Sequence, residues 1–163
     1  MAGPPQVKGG ALIIPAGLLL KHQGHAPVSP DDGVDAEARK RVEALAMAAV
    51  MEAERSLDCV PKDVSATKGI GYDIESQDAE GTLRFIEVKG RAKGADKVTL
   101  TTNEVRCAVN APDQFILAVA IIYGDAVSEL TYIRAFPFKE PGFGEVATAY
   151  KLDDLLNHGA TPA

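Results

Sequence analysis

From Asp35 to about Leu57, the apolar positions Val42, Leu45, Ala49, Val50, Ala53 and Leu57 recur at helical spacing, with alanine filling much of the remainder. This pattern predicts the longest helix of the chain. Its small residues Ala46, Ala49 and Ala53 would let the axis approach a sheet closely, and Pro61 is expected to end any continuation. A short strand is then expected around Asp63 to Ala66, followed by a turn with Gly69 and Gly71. Two strands, Tyr72 to Gln77 and Leu83 to Lys89, come next, joined by an acidic, glycine-containing turn at Asp78 to Thr82. After Val98 to Leu100, the run Thr101-Thr102-Asn103-Glu104 opens a second helix as a capping box, with Thr at N-cap and Glu at N3, and Pro112 closes it early.

The segment Phe115 to Tyr123, FILAVAIIY, is nearly continuous apolar sequence and reads as a strand covered on both faces, at the centre of the sheet. Leu130 to Phe136 is a further strand, Pro137 to Gly144 a loop, Val146 to Leu152 an edge strand, and Asp153 to His158 a short terminal helix. The order is helix, three strands, helix, strand, with additions at both ends. This is an α/β layout without the regular alternation of a doubly wound fold. Residues 1–33 hold much of the Pro and Gly and read as an extended tail or linker with one short apolar strand, Ala11 to Leu20, leaving residues 34–163 as one folded domain.

Composition narrows the picture. At 163 residues and 46% apolar, the chain suffices for one domain with a real core. Its net charge of -6 argues against holding DNA by a general positive field, so any nucleic-acid contact should be local. Cys59 and Cys107 are far apart and form no CxxC pair, which indicates neither a disulfide framework nor a zinc knuckle and fits a reducing cytoplasm. Pro15 and Gly17 break the apolar run of the tail, which is too short to span a membrane and lacks a preceding basic region, so neither a signal peptide nor a membrane anchor is expected.

The candidate chemistry lies in the hairpin. Alternate side chains on a strand share a face, so Glu87 and Lys89 project together, and a register symmetric about Glu80 sets Asp73 opposite Glu87. Two adjacent carboxylates repel unless a cation sits between them, and Mg²⁺ is a natural occupant, with Mn²⁺ as its substitute. Lys89 would then orient or activate a water, or stabilise charge on a phosphate. An acid and a base alternating on a strand are also common on a solvated face; the apolar neighbours Phe85, Ile86 and Val88 favour a strand inside the sheet. Glu43 borders the apolar stripe of the first helix and is the candidate to reach the same site from there. The capping box accounts for Thr101 and Glu104 without a ligand, which leaves Asn103 as the functional candidate at that helix start. Arg91, Lys93 and Lys97, with Arg106 behind them, form the basic patch and read either as solvated loop charges or as a track for a nucleic-acid backbone. His22 and His25 lie in the tail and are discounted as ligands.

Asp73 followed by Glu87-Val88-Lys89 after a hairpin, with a helix before and a helix and buried strand after, resembles the PD-(D/E)XK nuclease superfamily. Within it, DVSATKGIGYDIES, FIEVKGRAKG, VTLTTNEV and APDQFILAV are similar to the NO VEIN C-terminal-like domains, often found at the end of helicase or restriction-related proteins. The resemblance implies a restriction-endonuclease-like core of order α-β-β-β-α-β, with a mixed central sheet flanked by helices and extra C-terminal strands. It also implies Mg²⁺ held by Asp73, Glu87 and the main-chain carbonyl of Val88, with Lys89 as base or charge stabiliser and Glu43 as the helical glutamate. The substrate it implies is DNA, the reaction phosphodiester hydrolysis, and the partner a helicase or ATPase region of a larger defence protein. Two departures stand out: Tyr72 replaces a proline, and the second helix lacks Gln-x-x-x-Tyr. The alternatives are a catalytically inactive domain that binds DNA or docks a partner on the same fold, and a homodimer formed through Ala11 to Leu20.

Overall fold

The computed structural model describes residues 36–163. The expected tail, its strand at Ala11 to Leu20, the self-association proposed through it, and His22 and His25 lie outside the described residues. Helix α1 (Ala36–Ser56) leads into strands β1 (Val60–Asp63), β2 (Ile74–Gln77), β3 (Leu83–Ala92) and β4 (Lys97–Thr101). Helix α2 (Thr102–Asn110), strands β5 (Phe115–Tyr123), β6 (Ala126–Arg134) and β7 (Ala147–Lys151), helix α3 (Leu152–Leu156) and strand β8 (Gly159–Ala160) complete the order.

Six strands form one mixed sheet in the order β1-β2-β3-β5-β6-β8, in which β3 and β5 are parallel and every other neighbouring pair is antiparallel. The fold is therefore mixed α/β with helices on the sheet, consistent with a restriction-endonuclease-like arrangement. β5 lies between β3 and β6, and six of its first six residues are buried, as its unbroken apolar run predicts. β4 and β7 pair with each other as a separate antiparallel ribbon. The edge strand expected at Val146 to Leu152 thus finds its partner outside the main sheet.

Several boundaries move for local reasons. α1 ends before Pro61 is reached, in a Schellman motif: Asp58 has φ 58, its N-H donates to the Arg55 carbonyl, and the Cys59 N-H donates to the Glu54 carbonyl. Pro61 then sits in β1, an edge strand, where the missing donor is tolerated. β1 comes earlier than expected because Asp63 Oδ1 accepts from both the N-H and the hydroxyl of Ser65, turning the chain away from the sheet. β3 runs on through Gly90 to Ala92, into the segment expected to be a basic loop.

The β2-β3 turn fixes what matters for the site. Asp78 Oδ1 accepts from the N-H groups of Glu80 and Thr82 at 3.1 and 2.7 Å, and Gly81 takes the positive φ of 87° that closes the turn. The resulting register pairs Gln77 with Leu83 and Ile74 with Ile86, symmetric about Glu80 as expected.

The two faces of β3 meet different layers. Ile86 packs with Val50, Val88 packs beside Val42, and Gly90 lies directly under α1, where an added Cβ would stand 2.8 Å from both Val42 Cγ1 and the Val42 carbonyl. On the other face, Leu117 and Val119, the β5 partners of Glu87 and Lys89, join Val98, Leu100, Val105 and Ala108 in the core beneath α2 and the β4-β7 ribbon. Among the described residues, no helix is long and apolar enough to cross a membrane.

Candidate active site

Glu87 and Lys89 leave β3 on the α2 face, an interior position between β2 and β5. Asp73 stands just before β2, and its Oδ2 accepts the Val88 N-H at 3.0 Å, which fastens its carboxylate against β3 one residue from Glu87. The approach to Asp73 depends on Gly71, with φ +83, where a Cβ would run into the Asn103 carbonyl and Cys107 of α2. Gly71 therefore lets the strand entry press against α2. Within a strand, a residue's N-H and C=O point to the same edge. The Val88 carbonyl accordingly points to the β2 side, where the ladder has ended at Ile74.

Lys89 Nζ lies 2.6 Å from Glu87 Oε1 and 2.8 Å from Glu104 Oε2, with all three side chains largely buried. The capping box expected at α2 is present: Thr101 Oγ1 accepts the Glu104 N-H, and Glu104 Oε2 accepts the Thr101 N-H at 3.0 Å. The same Oε2 also receives Lys89. The capping explanation of Glu104 is thus right but incomplete, and the helix-borne carboxylate of the site is Glu104.

Glu43 is not that residue. It is exposed on α1, which packs on the opposite face of β3 through Val42 and Ala46, so the sheet stands between it and Lys89. Helical spacing placed Glu43 beside the apolar stripe; which face of the sheet the helix covers is a tertiary matter.

One ammonium between two carboxylates cannot neutralise both. Burial pushes Glu87 up to about 8, against the attraction of Lys89 and with added repulsion from Glu104 and Asp73. Burial also raises Asp73, with partial relief from the Val88 N-H and Lys89. Burial opposes the charge of Glu104 too, but Lys89 and the two Thr101 hydrogen bonds outweigh it and hold that carboxyl below its ordinary value. Burial would depress Lys89; Glu87 and Glu104 together prevail and keep it above its usual range, hence charged. The resting site is a charged Lys89-Glu104 pair beside two desolvated carboxyls that hold protons unusually well.

Two desolvated carboxyls and a carbonyl on one strand edge form an all-oxygen donor set suited to Mg²⁺ or Mn²⁺. Asp73 Oδ1 takes no hydrogen bond from the described residues, and so is available to an ion. Among the described residues, no three His, Cys, Asp or Glu side chains converge on one point. The protein share of such a site would therefore be Asp73, Glu87 and the Val88 carbonyl, with water filling the rest, as Mg²⁺ tolerates.

The other expected residues disperse. Asn103 is exposed at the start of α2, where its carbonyl faces Gly71. Arg91 turns back, donating to the carbonyls of Lys97 and Gly90 at 3.0 and 2.8 Å. Lys93 Nζ lies 5.0 Å over the exposed Tyr123 ring, and Lys97 is exposed beside Asp96. Lys93, just past β3, and Lys97, at the start of β4, remain presented to solvent, whereas Arg91 serves the local backbone.

A search of curated proteins found no match to this chain. Residues 42–133, more than half of the chain and including α1 from Val42 to β6, match the family described as Protein NO VEIN, C-terminal. With the hairpin, the carboxylate pair and the buried central strand all inside that span, the chain belongs to the NO VEIN C-terminal family.

Proposed function

We propose that this domain is a Mg²⁺- or Mn²⁺-dependent deoxyribonuclease that hydrolyses phosphodiester bonds, working beside a helicase or ATPase region in a defence or restriction system. The observation that carries this reading is the Val88 N-H to Asp73 Oδ2 hydrogen bond, which gathers Asp73, Glu87 and Lys89 on one edge of a sheet-interior strand. When bound, the ion supplies Lewis-acid polarisation of a phosphoryl oxygen. Asp73, Glu87 and the Val88 carbonyl would hold it. Lys89, kept charged by Glu87 and Glu104, serves as an electrostatic partner for a developing phosphorane charge and orients the attacking water through its N-H donors, rather than acting as a free base. Glu104, anchored by Thr101, pairs with Lys89 independently of Glu87 and would hold the ammonium in place with an ion bound.

The test is cleavage of single-stranded, duplex and branched DNA with Mg²⁺ or Mn²⁺, comparing the full chain with Asp73→Ala, Glu87→Ala and Lys89→Ala. Each variant is expected to lose roughly a hundredfold or more in rate. Equal residual cutting by all four proteins would leave a DNA-binding or partner-docking domain without catalysis as the surviving alternative.

A further inference from the structure

The loop between β6 and β7 carries three phenylalanines, and they behave differently. Phe136 and Phe138 fold inward, with ring centroids 5.9 and 5.4 Å from Tyr150, and Phe138 also meets Phe115. Phe143 is fully exposed. Exposure alone is ordinary for one apolar side chain, but the turn that holds Phe143 is closed by its own hydrogen bonds. The Gly142 N-H donates to Glu145 Oε2 at 2.9 Å, the Glu145 N-H donates back to the Gly142 carbonyl, and the Thr148 hydroxyl donates to Glu145 Oε1. Gly144, with φ +81, supplies the left-handed residue next to Phe143.

This braced turn is fastened to the candidate active site. The Thr102 N-H donates to the Val146 carbonyl at 3.0 Å, and the Thr102 hydroxyl donates to the Glu145 carbonyl. Thr102 lies between Thr101 and Glu104, the pair that holds Lys89. One helix start therefore positions both the lysine proposed to serve the phosphate and an aromatic ring turned to solvent. Val146, also exposed, stands on the same turn.

We propose that Phe143 is a stacking platform for an unpaired base of the strand presented to Lys89. This rests on the nuclease reading and narrows its substrate to DNA with at least one unstacked base near the cut. A protein of net charge -6 draws little affinity from phosphates, whereas stacking on a phenyl face needs no charge and accepts any base.

Binding of a labelled single-stranded oligonucleotide, measured by anisotropy in Ca²⁺ without turnover, tests it on the full chain. Phe143→Ala is expected to weaken binding roughly tenfold, Phe143→Trp to preserve it, and an abasic oligonucleotide to bind wild type and Phe143→Ala alike. Thermal melting of each variant confirms that the exposed position leaves the fold intact. Unchanged affinity in Phe143→Ala, absence of wild-type binding, or a change confined to self-association overturns the proposal, the last marking Phe143 as a protein contact. The nuclease reading fails separately: binding that depends on Phe143, with no cutting in Mg²⁺ or Mn²⁺, removes the activity and keeps the platform.

Discussion

Glu87 competes with Glu104 for a single ammonium, and that competition has a measurable consequence for stability. Between about pH 4.5 and about pH 8, folded Glu87 retains a proton that the unfolded chain has released, so its contribution to stability falls as pH rises through that window. Asp73, also raised, acts in the same direction. Glu104 acts oppositely: its folded pKa is lowered, so its contribution is present above the ordinary glutamate range and is lost only in acid. Lys89 loses its contribution only as pH rises beyond the usual lysine range. In metal-free buffer the melting temperature is therefore expected to decline from pH 5.5 to pH 8 in wild type and to flatten in Glu87→Gln. Parallel profiles for the two proteins would show that Glu87 titrates as an ordinary surface carboxylate.

At the scale of elements, the α1-β3 contact fixes the height of the site. Gly90 follows Lys89 and accepts the helix so closely that no Cβ fits between Val42 and Ala46. Gly90→Ala is expected to cost about 1 to 3 kcal/mol by overpacking, measured by urea denaturation. Val42→Ala in the same chain should recover part of that loss, since it removes the Cγ1 that the new methyl meets. Additive losses in the double variant would place the strain elsewhere. A second tie between these layers is ionic: the fully buried Glu54 of α1 accepts from Tyr132 at 3.0 Å and pairs with Arg84 at 3.1 Å. Burial, with Glu54 beside it, raises the Tyr132 phenol well above its ordinary value, so the phenol stays a donor at any physiological pH. Glu54 thus explains an acidic residue inside the buried stripe of α1, where charge is tolerated only with such partners.

Across the whole molecule, charge sets how a nucleic acid can be held. A net charge of -6 leaves the chain without a broad positive field, and the basic cluster contributes Lys93 and Lys97 to solvent while Arg91 bonds the protein's own backbone. Duplex DNA affinity should accordingly decline with salt no more steeply than a log-log slope of about -2, the limit for two phosphate contacts at Lys93 and Lys97. A slope near zero would remove the proposed backbone track, and a much steeper one would require cations beyond this patch.

Much of this architecture was legible in the linear pattern. The unbroken apolar run of β5, the Thr101-Glu104 capping box and the Asp78 turn act through neighbours in sequence, so spacing alone predicts them. The turn in turn sets the register that brings Asp73 to Glu87, which is why the carboxylate pair could be foreseen. What spacing cannot tell is which layer covers which face of β3. Only packing places α1 over Gly90 and α2 over Lys89, which removes Glu43 from the site and gives Glu104 a second partner. The pairing of β7 with β4, outside the main sheet, is likewise a tertiary matter. Local hydrogen bonds and side-chain alternation are written residue by residue; the assignment of helices to faces emerges only when the whole apolar surface is buried at once.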